Sequence, residues 1–262
     1  MSEKITLSGV PETMLQTVYA RAKESKTRGV ISDKKAEKII AELDYDFSKA
    51  DKDSAMSSGV IARTALLDKM TTNWLSQNCG GIVVNIACGL DTRCYRIQGF
   101  SHWYNLDLPE TIAVRAKLLP ENGEISQIAM SATEDWGGKI TETGAPVLVI
   151  IEGLTMYLSE GEVKKIFNVI AKRFNTATVF VETMSPAMAK GFKEKSIEAS
   201  KAKFTWGIKN GKALCELLSG FDFIEDRSLT EGMGKFVPVY KFLGKIPAVR
   251  SISNKITVLK RN

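Results

Sequence analysis

Residues 83–93, "VVNIACGLDTR", decide the fold class, because an apolar run of strand length ends there in a tight polar loop. A glycine-containing loop after a buried strand is typical of sheets that bind nucleotides. The usual fingerprint, G-x-G-x-x-G, places one glycine at each of three positions. Here Ala87 replaces the first glycine, Gly89 is kept, and the motif ends in Asp91 and Thr92 instead of a glycine. The segment therefore predicts a strand and a ligand-binding loop, but not an ordinary dinucleotide site.

Apolar runs of strand length alternate with amphipathic helices on the C-terminal side of this loop. The predicted strands are Ile82–Ala87, His102–Leu106, Ile125–Ala129, Val147–Ile151, Thr178–Glu182, Phe221–Arg227 and Ile256–Lys260. The predicted helices are Pro109–Leu119, Ser159–Phe174, Pro186–Lys201 and Asn210–Leu218. Buried strands separated by crossover helices imply an α/β fold with a mainly parallel, doubly wound sheet. No helix is evident between the last two strands, which predicts an antiparallel hairpin at one edge.

The first eighty residues are predicted to be mostly helical. Apolar residues recur at helical spacing over residues 12–25, and a second helix is expected over residues 32–43 with Ser32 as its N-cap. A third helical segment over residues 51–81 has an apolar face made of Ile61, Ala65, Leu66, Met70 and Trp74. We therefore expect a single domain, residues 1–262, in which residues 1–80 form a helical cap and lead-in helix and residues 81–262 form the α/β core with inserted helices.

Composition excludes several classes of protein. The chain has 262 residues, of which 44% are apolar and 25% charged, as in ordinary globular proteins. Its longest apolar run, residues 145–154, is too short to span a bilayer, and the first residues lack a signal peptide, so we expect a cytosolic protein without membrane partners. The four cysteines form no C-x-x-C pair and His102 is the only histidine, which predicts free thiols and no metal site. The net charge of +6 is scattered, so no nucleic-acid partner is expected.

The loop and the next strand end together indicate the class of ligand. Gly89 lets the backbone approach a ligand, whereas Asp91 places a negative charge where a diphosphate would lie. A ligand with a positive charge and no phosphates fits better, and S-adenosylmethionine is such a ligand. Asp107 follows Gly89 by eighteen residues, about where an acid binds the hydroxyl groups of a ribose. A bare turn at Gly89 and a helix-capping role for Asp107, before Pro109, are the structural alternatives.

A second acid ends the fourth predicted strand. Five apolar residues, Val147–Ile151, run directly into Glu152, which should emerge at the same sheet edge as Gly89 and Asp107. A partly buried carboxylate costs several kcal/mol unless it is compensated. A cationic ligand, or backbone amides and an arginine, would compensate it. The structural alternative is a salt bridge to Arg63 or another arginine.

Four segments carry a family resemblance. They are "VVNIACGLDTRCYRI" from residue 83, "WYNLDLPETIAVRAKLL" from residue 103, "IIEGLTMYLSEGEVKKIF" from residue 150 and "FTWGI" from residue 204. Together the segments resemble the leucine carboxyl methyltransferase family, and in particular its bacterial branch of tetracenomycin-type polyketide O-methyltransferases. The resemblance implies a class I methyltransferase fold, which is Rossmann-like, with S-adenosylmethionine as the methyl donor and S-adenosylhomocysteine as the product. It also implies methylation of an oxygen, often that of a carboxylate.

The resemblance also implies site residues. It assigns the cofactor carboxylate to Arg63 and Arg21, the ribose to Asp107 and the cofactor's amino end to Glu152, while Ser131 and Ala132 bracket adenine. The full predicted cofactor set is Arg21, Arg63, Ala87, Cys88, Gly89, Asp91, Asp107, Leu108, Ser131, Ala132, Glu152 and Gly153. The predicted substrate-facing residues are Tyr19, Tyr157, Met184 and Trp206, of which Tyr157 would position the acceptor. Ala87 and Ser131 depart from the family pattern, in which a glycine and, in some relatives, an acid stand at these positions.

Methyl transfer requires alignment of donor and acceptor and no protein nucleophile. His102 should lie at the amino end of its strand, away from the crevice, and so cannot serve as a base there. The absence of a histidine base favours a carboxylate acceptor, which is already a nucleophile at neutral pH, or a phenol assisted by Tyr157 or an acid. The expected function is S-adenosylmethionine-dependent O-methylation of a small organic metabolite, as in polyketide biosynthesis. A non-catalytic S-adenosylmethionine-binding protein and a methyltransferase acting on a protein C-terminus remain as alternatives, and a nicotinamide oxidoreductase is disfavoured by Asp91.

Overall fold

Seven strands form one sheet in the computed structural model, which describes residues 10–142, 144–191 and 203–262. The strands are β1 (Gly81–Ile86), β2 (Phe100–Asp107), β3 (Ile125–Ala129), β4 (Val147–Ile151), β5 (Ala177–Thr183), β6 (Phe221–Ser228) and β7 (Lys255–Arg261). Their order in the sheet is β3-β2-β1-β4-β5-β7-β6. Neighbours from β3 through β5 are parallel, whereas β7 is antiparallel to both β5 and β6. The predicted mainly parallel sheet with an antiparallel edge is confirmed.

Helices precede the sheet and connect its strands. The helices before the sheet are α1 (Val10–Lys26), α2 (Lys34–Glu42), α3 (Ser48–Lys52) and α4 (Ser54–Gln77). The later helices are α5 (Pro109–Leu118), α6 (Glu160–Arg173), α7 (Pro186–Gly191), α8 (Gly211–Leu217), α9 (Thr230–Met233), α10 (Tyr240–Leu243) and α11 (Pro247–Ile252). Short 3₁₀ turns cover Arg93–Tyr95, Trp136–Lys139 and Thr155–Tyr157. No helix in the described part of the chain is long and apolar enough to cross a membrane.

Buried side chains alternate along β1 and form one apolar layer on each face of the sheet. Ile82, Val84 and Ile86 belong to a cluster with the apolar side of α6, and Val83 belongs to a second cluster with the apolar side of α4. Because side chains of a strand alternate between faces, this pattern fixes which helix covers which face. A third cluster packs α1 and α2 around Leu90, in the loop after β1. Helices α1 and α2 therefore cover the carboxyl edge of the sheet at this loop, while α4 covers one of its faces.

Several helix predictions need correction. The N-cap of α2 is Asp33, whose side chain accepts a hydrogen bond from the backbone N–H of Ala36, and not Ser32. Asp53 divides the predicted third helical segment into α3 and α4, because its side chain caps α4 by accepting from Met56. Four residues of its predicted apolar face are buried and Trp74 is partly buried. Most of the predicted helix Pro186–Lys201 lies outside the described residues, which show α7 only.

The C-terminal edge differs from the predicted simple hairpin. Strands β6 and β7 are antiparallel neighbours, as expected, but α9, α10 and α11 lie between them in the chain. These helices have only four to six residues each, too few to show a helical period in the sequence. The last strand, β7, lies between β5 and β6, so that β6 forms the sheet edge.

Candidate functional site

A cavity of about 320 Å³ lies at the carboxyl ends of β1, β2 and β4, where the order of winding reverses between β1 and β4. Open parallel sheets bind their ligands at such a reversal. Helices α1 and α4 contribute its outer wall through Met14, Arg21 and Arg63. We call this cavity, with the lining residues described below, the first cavity. All twelve residues of the predicted cofactor set line it, and so does Tyr157.

The loop after β1 is tied to the end of β2. The backbone N–H of Gly89 donates to Oδ2 of Asp107 at 2.7 Å, and the N–H of Leu108 donates to Oδ1 at 2.7 Å. Burial raises the pKa of Asp107, and these two hydrogen bonds oppose the rise. Gly89 has φ of +47°, and a Cβ built there would lie 3.1 Å from Cβ of Met14. Glycine at this position therefore keeps the loop close to α1.

Ala87, in place of the first glycine, has φ of +55°. It is the one non-glycine residue of the described chain in the left-handed region. Alanine there is strained by contact of its Cβ with the backbone, by roughly 1–2 kcal/mol. The departure of Ala87 from the family's glycine therefore strains the backbone of the loop.

The acids at the ends of the loop and of β4 are paired with a buried arginine that the sequence analysis did not select. Arg93 is 1% exposed; its Nε lies 2.8 Å from Asp68, its Nη1 2.6 Å from Asp91 and its Nη2 2.9 Å from Glu152. Burial acts to raise the pKa values of Asp91 and Glu152, but the charges of Arg93 and its neighbours outweigh it and hold both below their usual range. Both carboxylates are therefore ionised and fixed before any ligand arrives.

Arg63 bridges the same network to β5. Its Nε lies 2.6 Å from Oε1 of Glu152, and its Nη1 donates to Oε2 of Glu182 at 2.9 Å. The N–H of Gly153 donates to that same Glu182 oxygen at 2.9 Å. The salt bridge between Glu152 and Arg63, the structural alternative for Glu152, is thus present. Arg63 also lines the first cavity, so the residue that pairs with Glu152 and Glu182 is at the same time part of the cavity wall.

Two further arginines hold the loop in place. Arg21 donates from Nε to Asp33 at 3.0 Å and from Nη2 to the carbonyl oxygen of Leu90 at 2.6 Å. Arg115 is fully buried with Glu121, and its Nη1 donates to the carbonyl oxygens of Gly89 and Asp91 at 2.9 and 2.7 Å. A guanidinium with several donors suits this task, because it can bind a carboxylate and loop carbonyls together. Sequence spacing gave no signal for Arg115, which lies in the last turn of α5.

A second cavity, of about 110 Å³, adjoins the first. The two share five lining residues, Thr13, Thr17, Arg63, Gly153 and Tyr157. The second cavity is otherwise lined by Gln16, Met56, Gly59, Val60, Met156, Glu182, Met184, Phe204, Leu229 and Asn254. The ring of Tyr157 lies 5.4 Å from that of Phe204, which forms part of this wall. Of the predicted substrate-facing residues, Tyr157 and Met184 reach this cavity.

The structure does not bring Tyr19 or Trp206 to either cavity. Tyr19 stacks on Phe47 with ring centroids 4.4 Å apart and donates to Asp51 at 2.8 Å. Trp206 packs against the core cluster that contains the buried side chains of α6. The residue pattern could not show this, because a tyrosine on a helix has the same spacing whether it faces a cavity or a neighbouring aromatic ring.

His102 lies near the start of β2, away from both cavities, as predicted. Its Nδ1 lies 3.3 Å from Glu142 and its Nε2 lies 2.9 Å from Oγ of Ser126. The four cysteines are free thiols. At the adenine-bracketing position, Ser131 and Thr133 hydroxyls lie 3.0 Å apart, and the Ser131 N–H donates to Glu134 at 3.1 Å. Glu134 thus organises this turn from outside the first cavity.

Comparison with known proteins agrees with this geometry. The family model for leucine carboxyl methyltransferase matches residues 14–171. The tetracenomycin polyketide synthesis O-methyltransferase TcmP of Streptomyces glaucescens is 33% identical, over 95% of this chain and 96% of that one. An S-adenosyl-L-methionine-dependent methyltransferase of Gibberella zeae, dpfgK, is 28% identical over 85% of this chain and 83% of that one.

Solved structures support the fold. A crystal structure of a suspected methyltransferase from Thermobifida fusca superposes with a TM-score of 0.59 at 10% identity, covering 93% of this chain and 94% of that one. Magnesium protoporphyrin IX methyltransferase from Synechocystis, crystallised with S-adenosylhomocysteine, superposes with a TM-score of 0.50 at 10% identity, covering 96% of this chain and all of that one. At these identities the likeness concerns the fold alone.

Proposed function

The chain belongs to the leucine carboxyl methyltransferase family of S-adenosylmethionine-dependent enzymes, and we propose that it transfers a methyl group to an oxygen atom of a small organic acceptor. The observation that carries the proposal is the first cavity itself. It lies at the switch point of the sheet, contains Gly89 and Asp107 at one edge, and is bounded by four carboxylates and two guanidinium groups. An excess of fixed carboxylates suits a cationic nucleoside better than a diphosphate.

The residues present fit S-adenosylmethionine. The cavity volume of about 320 Å³ is within the range of small-ligand sites, and each Asp107 oxygen that accepts one backbone N–H keeps a second lone pair for a ribose hydroxyl. In this proposal Ser131 and Ala132 flank adenine, and Arg21 and Arg63 face the carboxylate of the cofactor. The other residues of the predicted cofactor set line the first cavity between the adenine and the carboxylate. Glu152 faces the amino end, in addition to its pairs with Arg63 and Arg93.

The bound cofactor supplies an electrophilic methyl group on a sulfonium. The protein's part is to align the acceptor and to exclude water, and such alignment is worth about 7 to 11 kcal/mol of barrier. Tyr157 and Gly153 line both cavities and so mark where the acceptor oxygen must approach. We propose Tyr157 as a positioning residue there. The acceptor occupies the second cavity, where Met184 contributes to the wall.

Calorimetric titration with S-adenosylmethionine tests the first step. We expect the wild type to bind it, and Asp107→Asn to weaken binding about ten- to hundredfold, because a charged acceptor of ribose hydroxyls becomes neutral. Asp222→Asn is the matched control, since Asp222 is an exposed residue of β6 at the opposite end of the sheet. Equal affinities for the two variants would contradict the placement of the ribose.

Turnover is then measured with isotopically labelled S-adenosylmethionine and a panel of small carboxylic acids and phenols. The proposal predicts label in an O-methyl product of at least one small acceptor. Binding of the donor without transfer to any acceptor would point instead to a sensor of S-adenosylmethionine. Labelling confined to peptides with a free C-terminus would point to a protein substrate.

A further inference from the structure

Two residues that line the second cavity, Gln16 and Asn254, each carry a buried amide oxygen that accepts no hydrogen bond from the described residues. We propose that the acceptor is a neutral, ring-sized apolar molecule whose hydroxyl or N–H groups donate hydrogen bonds to Oε1 of Gln16 and Oδ1 of Asn254. This inference rests on the proposed function, because it treats the second cavity as the acceptor pocket. It adds the chemical class of the acceptor and two residues that determine specificity. When a hydroxyl of such an acceptor is methylated, the oxygen–carbon bond forms as the sulfur–carbon bond of the donor breaks, and the hydroxyl proton passes to Glu182, the one carboxylate among the described residues that line the second cavity.

Gln16 supplies the first oxygen. It lies on α1, its side chain is 6% exposed, and it lines the second cavity. Its Oε1 is buried and accepts no hydrogen bond from the described residues. A buried carbonyl oxygen without a donor is costly, and native proteins rarely keep one without a use. A donor on a ligand in the cavity would satisfy it.

Asn254 supplies the second oxygen. It precedes β7, and its Nδ2 donates to Oε1 of Glu182 at 3.2 Å. This bond fixes the orientation of the amide, because the opposite orientation would set its oxygen against a carboxylate. Its Oδ1 is therefore the group left over, and within the described residues this buried oxygen has no donor either. Two residues with unpaired acceptors of the same kind thus line one small cavity.

The charges around the second cavity disfavour an anionic acceptor. Glu182 lines it with a side chain that is 1% exposed, and Arg63 is the one cation among its described lining residues. Arg63 already pairs with both Glu152 and Glu182. A carboxylate entering this cavity would lose its hydration and meet two carbonyl oxygens and a buried carboxylate, whereas a neutral hydroxyl would find acceptors. Glu182 and the two amide oxygens therefore favour an acceptor molecule that donates hydrogen bonds.

Most of the remaining side chains of the wall are apolar and limit size, namely Met56, Val60, Met156, Met184, Phe204 and Leu229. Thr13, Thr17 and Tyr157 add hydroxyl groups where the two cavities join. The cavity volume of about 110 Å³ is smaller than that of an apolar cavity of ~150 Å³ known to hold benzene, so the second cavity admits one ring at most, next to the adjoining first cavity. Three methionines make the wall adaptable to the outline of a ring. One hydroxylated ring, or a ring-sized part of a larger molecule, fits this description.

The test compares probes of one size that differ in their polar groups. Resorcinol carries two hydroxyl donors, meta-difluorobenzene has a similar outline and none, and benzoate is anionic. Each is titrated by calorimetry into the protein saturated with S-adenosylhomocysteine. We expect resorcinol to bind at least about tenfold more tightly than either other probe, since an unpaired buried acceptor costs about that factor.

Variants assign the preference to the named oxygen. Gln16→Met keeps the length of the side chain and removes the oxygen, so it should reduce the preference for resorcinol over meta-difluorobenzene about tenfold. Thr71→Val is the matched control, because Oγ1 of Thr71 is also buried and unpaired within the described chain but lines neither cavity. Thermal melts confirm that both variants are folded. A ratio of affinities cancels any general loss of cavity shape, which a purely structural role of Gln16 would cause.

The outcomes separate this inference from the proposed function. Failure of the wild type to bind S-adenosylmethionine would overturn the proposed function. Normal binding of S-adenosylmethionine together with any of three results would overturn the inference alone: no measurable binding of resorcinol, equal or tighter binding of benzoate or meta-difluorobenzene, or an unchanged preference in Gln16→Met. Loss of preference in Gln16→Met with an unchanged preference in Thr71→Val would support it.

Discussion

Removing the cation of Arg93 should destabilise the protein severely and reverse the response of its stability to pH. Arg93 is 1% exposed and lies within 2.6 to 2.9 Å of oxygens of Asp68, Asp91 and Glu152. The variant Arg93→Met leaves these carboxylates without their shared cation. Breaking a buried ion pair from one side costs about 3–5 kcal/mol, a large part of the 5–15 kcal/mol by which typical domains are stable.

The sign of the pH dependence follows from the pKa shifts. In the wild type the pKa of Asp91 is lowered, and so is that of Glu152, so their contribution to stability is complete above the unfolded pKa, near 4, and is lost as the pH falls. Arg93 is the largest of the charges that lower the pKa of Asp91, ahead of Arg96, Arg21 and Arg115, so in its absence we expect burial to raise the folded pKa of Asp91 above the unfolded value. The variant then loses stability as the pH rises from about 4 towards 7. The difference in unfolding free energy between variant and wild type should therefore be largest at neutral pH.

Urea denaturation followed by circular dichroism at several pH values between about 4 and 7 measures this difference. Arg227→Met is the matched control, because Arg227 also pairs with a carboxylate, that of Glu231 at 2.6 Å, but its side chain is 29% exposed. Such a pair is worth less than about 1 kcal/mol. Two results would refute the view that Arg93 neutralises buried charge. One is a loss of unfolding free energy in Arg93→Met no larger than in this control. The other is a loss of the same size at about pH 4 and at about pH 7.

Two further predictions concern the loop after β1. Ala87→Val should lower the unfolding free energy, measured by urea denaturation, by about 2 kcal/mol, because a β-branched side chain fits poorly at φ of +55°. Ala87→Gly should not lower it. Equal losses of unfolding free energy in the two variants would show that strain at this position is unimportant. Alkylation of the native protein at pH 8, mapped by mass spectrometry, should modify the exposed Cys79 and spare Cys88 and Cys94 until denaturant is added. The reason is that burial raises the pKa of Cys88 well above its usual value and that of Cys94 to about 12. Early modification of Cys88 would contradict the packing of the loop.

Much of the fold could be predicted because its strands are buried on both faces. Runs such as Val147–Ile151 have the length and composition of central strands, and their predicted bounds agree with the structure to within one or two residues. The order of the last two strands could not be predicted. Pairing of β7 with both β5 and β6 depends on contacts distant in sequence, and α9–α11 are too short for their periodicity to be detected.

The predicted cofactor residues could be found because motif and topology coincide. Gly89, Asp107 and Glu152 each follow a buried strand, and parallel strands present their carboxyl ends at one edge. The partners of these residues were harder to find. Arg93 pairs with Asp68 and Glu152, which are 25 and 59 positions away in the chain, and nothing in the local sequence specifies such pairs. Gln16 and Asn254 were missed for the same reason, since only the fold brings α1 and the residue before β7 to one cavity.

The arrangement of charges in layers explains why an acid ends the loop after β1. Asp91 and Glu152 line the first cavity, whereas Arg93 lies behind them and does not. A ligand in this cavity therefore meets Asp91 and Glu152 together with Arg63, whereas Arg93 acts on both carboxylates from outside the lining. Charges fixed in advance require no rearrangement when a cationic ligand binds, and they repel a diphosphate at the same position. Arg93 thus contributes to the selectivity as well as to the fold, because its charge is the largest influence that lowers the pKa of Asp91 against the effect of burial, while Glu152 is also held ionised by Arg63.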